Sequence, residues 1–190
     1  MASVVLFHHA QGLTPGVLAF AERIRSAGHT VYTPDLYEGA SFDSLDAGIA
    51  HVEEIGFDTV VDRGRAAATA LPADVVYIGF SLGVLPAQML AQTRPDALGV
   101  VAVSSVVPGD AFGDVWPTAV PLQIHAMTAD PLFTTEGDSE TAEGLVASVG
   151  AELFLYPGEQ HLFVDDSLPG FDGPATELLL ERVLSFVDSR

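Results

Sequence analysis

The pentapeptide Gly79-Phe80-Ser81-Leu82-Gly83 places a hydroxyl between two glycines, where an apolar run from Val75 to Phe80 gives way to helical spacing from Val84 onward. This is a GxSxG pattern in the context its chemistry requires, with a strand before it and a helix after it. A nucleophile on a strained strand-to-helix turn needs neighbours without side chains. The turn then lifts the hydroxyl above the sheet, at the positive end of the helix. Leu82, the next residue, offers a backbone N–H to an oxyanion. A serine in a glycine turn is often only structural, so the reading depends on what else the chain supplies.

An unassisted hydroxyl is a poor nucleophile and requires a base, together with a group that orients the base. For a nucleophile on this kind of turn the partners follow in the order Ser, acid, His. Asp130 stands in "MTADPLF", directly after the strand-like "LQIHA" (122–126), and His161 stands in "PGEQHLF", directly after "ELFLY" (152–156). Either alone would be an ordinary loop residue. Together, in order and after consecutive strands, they complete a Ser81–His161–Asp130 triad. Glu136, Asp138 and Glu159 compete for the acid's role, but Asp130 follows its strand most closely.

The first strand-like run ends in "HHAQGLTPG" (8–16), a second glycine-containing loop leading into a helix. If its strand lies beside that of Ser81, an N–H of this loop completes the oxyanion hole, from Ala10 in first place and Gln11 in second. His8 and His9 are adjacent on an extended segment and point to opposite faces, with no further ligand cluster nearby, so no metal is expected. The triad chemistry calls for no cofactor. His29, His51 and His125 are expected to pack or to meet solvent. His9, Gln11, Phe80, Trp116 and Phe133 are the candidates for lining a substrate pocket, with Phe112 beside them.

Positioning these groups falls to six short runs rich in Val, Ile and Leu: 3–7, 30–34, 75–80, 98–103, 122–126 and 152–156. They are expected to be strands buried on both faces. Between them, helical spacing runs from Thr14 as N-cap, through Pro15, to a stop at Gly28. It recurs over 57–72, 84–95 and 174–190, and a further helix covers part of 44–55. Alternation of this kind predicts one α/β domain over 1–190, doubly wound, with a mostly parallel six-stranded sheet and helices on both faces. In such sheets ligands bind beyond the carboxyl ends of the strands, where the strand order reverses.

Composition narrows the partners. The 190 residues are 48% hydrophobic and 17% charged, and 26 acidic residues against 7 basic ones give a net charge of −19. Such a chain repels a phosphate backbone and anionic lipid alike, so neither nucleic acid nor a membrane is an expected partner. There is no cysteine, which removes thiolate nucleophiles and disulfides. The N-terminal residues lack a basic, then apolar, leader, so the cytoplasm is the expected location.

The set "PDLYEG" (34–39), "GFSLG", "TADPLF" and "EQHLF" at these intervals resembles the dienelactone hydrolase family of α/β-hydrolases, over essentially the whole chain. The resemblance implies a minimal α/β-hydrolase fold with strand order 2-1-3-4-5-6. It also implies a nucleophile at Ser81, a base at His161, an acid at Asp130 and oxyanion donors at Leu82 and Ala10. Three positions depart from the pattern. Ser81 stands where dienelactone hydrolases carry a cysteine, His9 where they carry a glutamate, and Asp165 where an arginine grips the substrate carboxylate. A serine needs full general-base assistance, and an acidic residue in place of the clamp disfavours an anionic substrate. The expectation is therefore a hydrolase of small neutral or cationic esters or lactones. A peptidase or acyltransferase on the same machinery, or a non-catalytic small-molecule-binding relative, are the alternatives.

Overall fold

A computed structural model describes residues 1–113 and 115–190. Its six strands are β1 (Ser3–Phe7), β2 (Thr30–Tyr32), β3 (Val75–Phe80), β4 (Gly99–Val103), β5 (Leu122–Met127) and β6 (Glu152–Tyr156). They form one sheet in the order β2-β1-β3-β4-β5-β6, and every neighbouring pair is parallel. The order reverses between β1 and β3, so the loops after these two strands face each other across a crevice.

The helices are α1 (Pro15–Ser26), α2 (Leu45–Ile55), α3 (Phe57–Ala68), α4 (Val84–Thr93), α5 (Pro131–Thr135), α6 (Asp138–Val149) and α7 (Gly173–Asp188). Local chemistry explains the ends of the best-defined ones. Thr14 caps α1 by accepting the Val17 N–H at 3.3 Å, Pro15 opens the first turn, and Arg23 and Arg25 in the last turn complement the helix dipole. Asp172 caps α7 in the same way, accepting from Ala175 at 3.0 Å.

Two apolar layers cover the sheet. Alternate strand residues, such as Val4, Leu6, Val76 and Ile78, pack on α1 and α7; their neighbours Val5, Phe7, Val75 and Tyr77 pack on α2, α3 and α4. Burial on both faces holds for β1, β3, β4 and β5, whereas β6 exposes Glu152 and Leu155 because it lies at the sheet's edge. Helices α5 and α6 were not expected from the sequence. Only Ala142 and Leu145 of α6 are buried, too few to write an apolar stripe.

Candidate active site

Ser81 follows β3 directly, on a single 3-10 turn (Ser81–Gly83) that runs into α4. Its φ is +48°, in the left-handed region that side chains rarely adopt. The strain is maintained by crowding. A Cβ on Gly79 would lie 2.5 Å from the carbonyl oxygen of Gly83 and 2.5 Å from the backbone of Val84, so strand and helix can meet this closely only at a glycine.

The loop after β6 brings His161 over Ser81, with 2.7 Å between Ser81 Oγ and His161 Nε2. On the other side of the ring, His161 Nδ1 lies 2.7 Å from Asp130 Oδ2. With the ring proton on Nδ1 facing this carboxylate, Nε2 is free to accept from the serine hydroxyl. Asp130 is fully buried and caps α5, its other oxygen accepting the Leu132 N–H at 3.0 Å. Of the competing acids, Asp138 approaches His161 without bonding to it and accepts the Val106 N–H at 3.2 Å instead. Burial raises the Asp138 pKa from its ordinary value.

The Ser104 hydroxyl, at the end of β4, donates to the carbonyl of His161 and so anchors the histidine loop from beneath. Ser104 also has a positive φ, +65°. Nothing in the sequence marked it.

Two N–H groups of the loop after β1 turn back onto His9. Gln11 N–H donates to His9 Nδ1 at 3.2 Å and Gly12 N–H to the carbonyl of His9 at 3.0 Å. Gln11 is thereby removed as an oxyanion donor, while Ala10 lies on the wall of the pocket that holds Ser81.

That pocket encloses about 490 Å³. Leu45, Ile49 and Val52 of α2, Phe57 of α3, Leu85 and Leu132 form its apolar walls, and Glu53, Glu136 and Asp138 supply carboxylates. No Arg, and none of the other expected lining residues, is among its walls. Phe80 packs beneath the sheet with Phe20, their ring centroids 5.1 Å apart. Phe133 is buried in the core on the opposite face, and Trp116 lines a separate surface groove with Pro108 and Leu145. Gln11 is buried and donates to the carbonyl of Phe42. These side chains lie at or after the ends of the right strands but are not among the walls of the pocket, an orientation that position in the chain does not give.

His9 and Asp165 correct the sequence reading further. Both are fully buried and bonded to each other at 2.8 Å, and neither lines the pocket, so Asp165 does not stand where it would meet a substrate carboxylate. Burial alone would raise the Asp165 pKa, but hydrogen bonds from His9, Ser167 and Thr14 together hold it down at about 2. His8 is also buried, with Nε2 accepting the Leu36 N–H at 3.0 Å. His125 lies inside the core against Tyr156, His29 is buried and His51 half-buried. Among the described residues no group of three His, Asp or Glu could hold a metal, and no helix is long and apolar enough to cross a membrane.

The family model for the dienelactone hydrolase family matches residues 1–189. The chain belongs to the dienelactone hydrolase family. It is accordingly a hydrolase with the α/β fold of that family. No curated protein matches it. Among solved structures it is similar to a dienelactone hydrolase-like promiscuous phosphotriesterase from metagenomic libraries, at 20% identity and a TM-score of 0.77, over 100% of this chain and 86% of that one. Dienelactone hydrolase from Anabaena variabilis aligns at 19% identity and a TM-score of 0.68, over 99% and 86%. The ydeN gene product of B. subtilis aligns at 11% identity and a TM-score of 0.65, over the whole of both chains. At such identities these likenesses establish the shared fold of the dienelactone hydrolases and nothing finer.

Proposed function

We propose that the protein hydrolyses carboxylic esters or lactones of small neutral or cationic molecules through a Ser81–His161–Asp130 triad. The observation that carries this reading is the continuous chain of contacts from Asp130 to His161 to a strained Ser81, opening on an apolar pocket. Ser81 Oγ attacks the carbonyl carbon while His161 Nε2 takes its proton, and the N–H groups of Leu82 and Ala10 hold the tetrahedral oxyanion. Collapse breaks the bond to the alkoxy group, which leaves with the proton from His161. Water, deprotonated by the same nitrogen, then attacks the acyl-enzyme and releases the acid and Ser81. Asp130 holds the imidazole in the productive tautomer and offsets the positive charge it gains.

The preference for neutral or cationic substrates rests on Glu53, Glu136 and Asp138 in the walls, with no arginine to balance them. This replaces the argument from Asp165, which the buried position of that residue removes.

A fluorophosphonate probe and a panel of p-nitrophenyl esters with neutral, cationic and anionic acyl groups test the reading. The probe should label Ser81, and Ser81→Ala should lose both labelling and on the order of 10⁶ of kcat. Among esters of matched size, kcat/KM should fall from cationic through neutral to anionic. Unchanged hydrolysis by Ser81→Ala would overturn the mechanism, and equal rates across the charge series would overturn the substrate class.

A further inference from the structure

We propose that His9 and Asp165 form a positioning pair, which keeps the loop carrying the Ala10 oxyanion donor in register with the loop carrying His161. The proposal rests on the hydrolase reading above. Neither residue lines the pocket, and both are fully buried, so any effect on catalysis passes through other groups.

A buried carboxylate is costly unless its oxygens are satisfied. Asp165 has four donors: His9 Nε2 at 2.8 Å, the Thr14 hydroxyl, the Ser167 N–H at 2.9 Å and the Ser167 hydroxyl at 2.6 Å. They come from three segments, namely the loop after β1, the cap of α1 and the chain that follows His161. The start of α1 is pressed so close that a Cβ on Gly16 would come within 1.8 Å of an Asp165 oxygen. A site this crowded holds its carboxylate in one place.

The hydrogen bonds also fix the imidazole of His9. Its Nδ1 accepts from the Gln11 N–H, so the ring proton sits on Nε2 and is donated to Asp165. Replacing this acceptor by a donor would favour the other tautomer, whose Nδ1–H would face the Gln11 N–H. The peptide of Ala10 lies between His9 and Gln11, so a shift in that bond moves the proposed oxyanion donor directly.

The far end of the pair is tied to the base. Asp165 follows His161 by four residues, its own N–H donating to Leu162 at 3.1 Å, and Ser104 holds the carbonyl of His161. Oxyanion donor and general base stand on loops from opposite ends of the chain. The His9–Asp165 bond, across 156 positions, is a direct polar link between those loops. Its consequence is specific to the transition state, where both groups must act together.

Two variants cut the link from either side. Asp165→Asn removes the acceptor that faces His9, and His9→Asn keeps an acceptor for Gln11 while losing its reach to Asp165. Ser167→Ala is the control, because it removes a donor to Asp165 and leaves the link intact. Active sites are counted with the fluorophosphonate probe, so that misfolded chains are not scored. Each linking variant should lose about tenfold to a hundredfold of kcat per site, with KM within about twofold. The affinity for a trifluoromethyl ketone, which forms an oxyanion on Ser81, should fall in parallel. Ser167→Ala should lower Tm and leave both values unchanged.

Unchanged kcat and ketone affinity in both linking variants, on a background of active wild type, would overturn the pair and spare the hydrolase reading. Equal losses in Ser167→Ala would also overturn it, since the effect would then follow stability. A wild-type chain that neither hydrolyses esters nor binds the ketone would overturn the hydrolase reading, and the pair's role with it.

Discussion

Two carboxylates stand near His161, and geometry separates their roles. Asp130 is fully buried and meets the ring nitrogen opposite Ser81, whereas Asp138 accepts a backbone N–H from Val106 and faces the pocket. In the proposed mechanism, orientation of the imidazole therefore falls to Asp130 alone. Asp130→Asn should lower kcat by about 10⁴, because an amide facing Nδ1 favours the wrong tautomer. Asp138→Asn should leave kcat for a neutral ester within about threefold of wild type, since no bond to the imidazole is lost. Steady-state kinetics on one neutral p-nitrophenyl ester decides between them, and the reverse order of losses would transfer the acid's role to Asp138.

At the scale of elements, the pocket depends on how closely α2 approaches the loop after β1. A Cβ on Gly48 would lie 2.1 Å from the carbonyl oxygen of Ala10, so this helix rests on the loop's backbone. Gly48→Ala must displace one or the other, and about 1 Å of displacement at Ala10 should cost on the order of 10²-fold in kcat. Gly144→Ala in α6 is the matched comparison. Its Cβ would meet nothing within 4 Å, so it should raise stability by roughly 0.5–1 kcal/mol without touching kcat. Paired measurements of Tm and kcat check both, and an active Gly48→Ala would refute the close seating. The same contact explains what the sequence could and could not convey. Thr14, Pro15 and Gly28 announce α1 through local chemistry, and the bounds of β1, β3 and β6 follow from short apolar runs. That Ser81, His161 and Asp130 come into contact could be anticipated because their order and their places after strands are properties of the chain. The walls made by Leu45, Ile49, Val52 and Phe57 were not, since they depend on which face of α2 meets the loop. The direction of Phe80, Phe133 and Trp116 was hidden for the same reason, and α6 because few of its residues are buried.

For the whole molecule, buried imidazoles set the response to acid. Burial lowers the pKa of His8 to about 4, and burial with the nearby Arg182 lowers that of His125 to about 3. In the unfolded chain both titrate near the ordinary value of 6.5. As pH falls below 6.5 the unfolded chain takes up protons that the fold refuses, so the folded state loses stability. The loss continues to about 4 for His8 and about 3 for His125, and then levels off. Between pH 6.5 and about 5 it amounts to at most about 2 kcal/mol per histidine. Asp165 adds a lower step, because its contribution is present above the unfolded value of 3.8 and is lost as pH falls toward about 2. Relief of repulsion within a chain of net charge −19 acts in the opposite direction, but only once the carboxylates titrate, near about 4. The urea midpoint should therefore drop between pH 7 and about 5, above the range in which ordinary carboxylates titrate; Asp138, whose pKa burial raises, opposes the drop equally in wild type and variant. His8→Gln retains a donor and an acceptor but takes up no proton, so it should flatten that slope, whatever it does to the midpoint at pH 7. A slope that is unchanged in His8→Gln would show that this imidazole is not a source of the acid sensitivity.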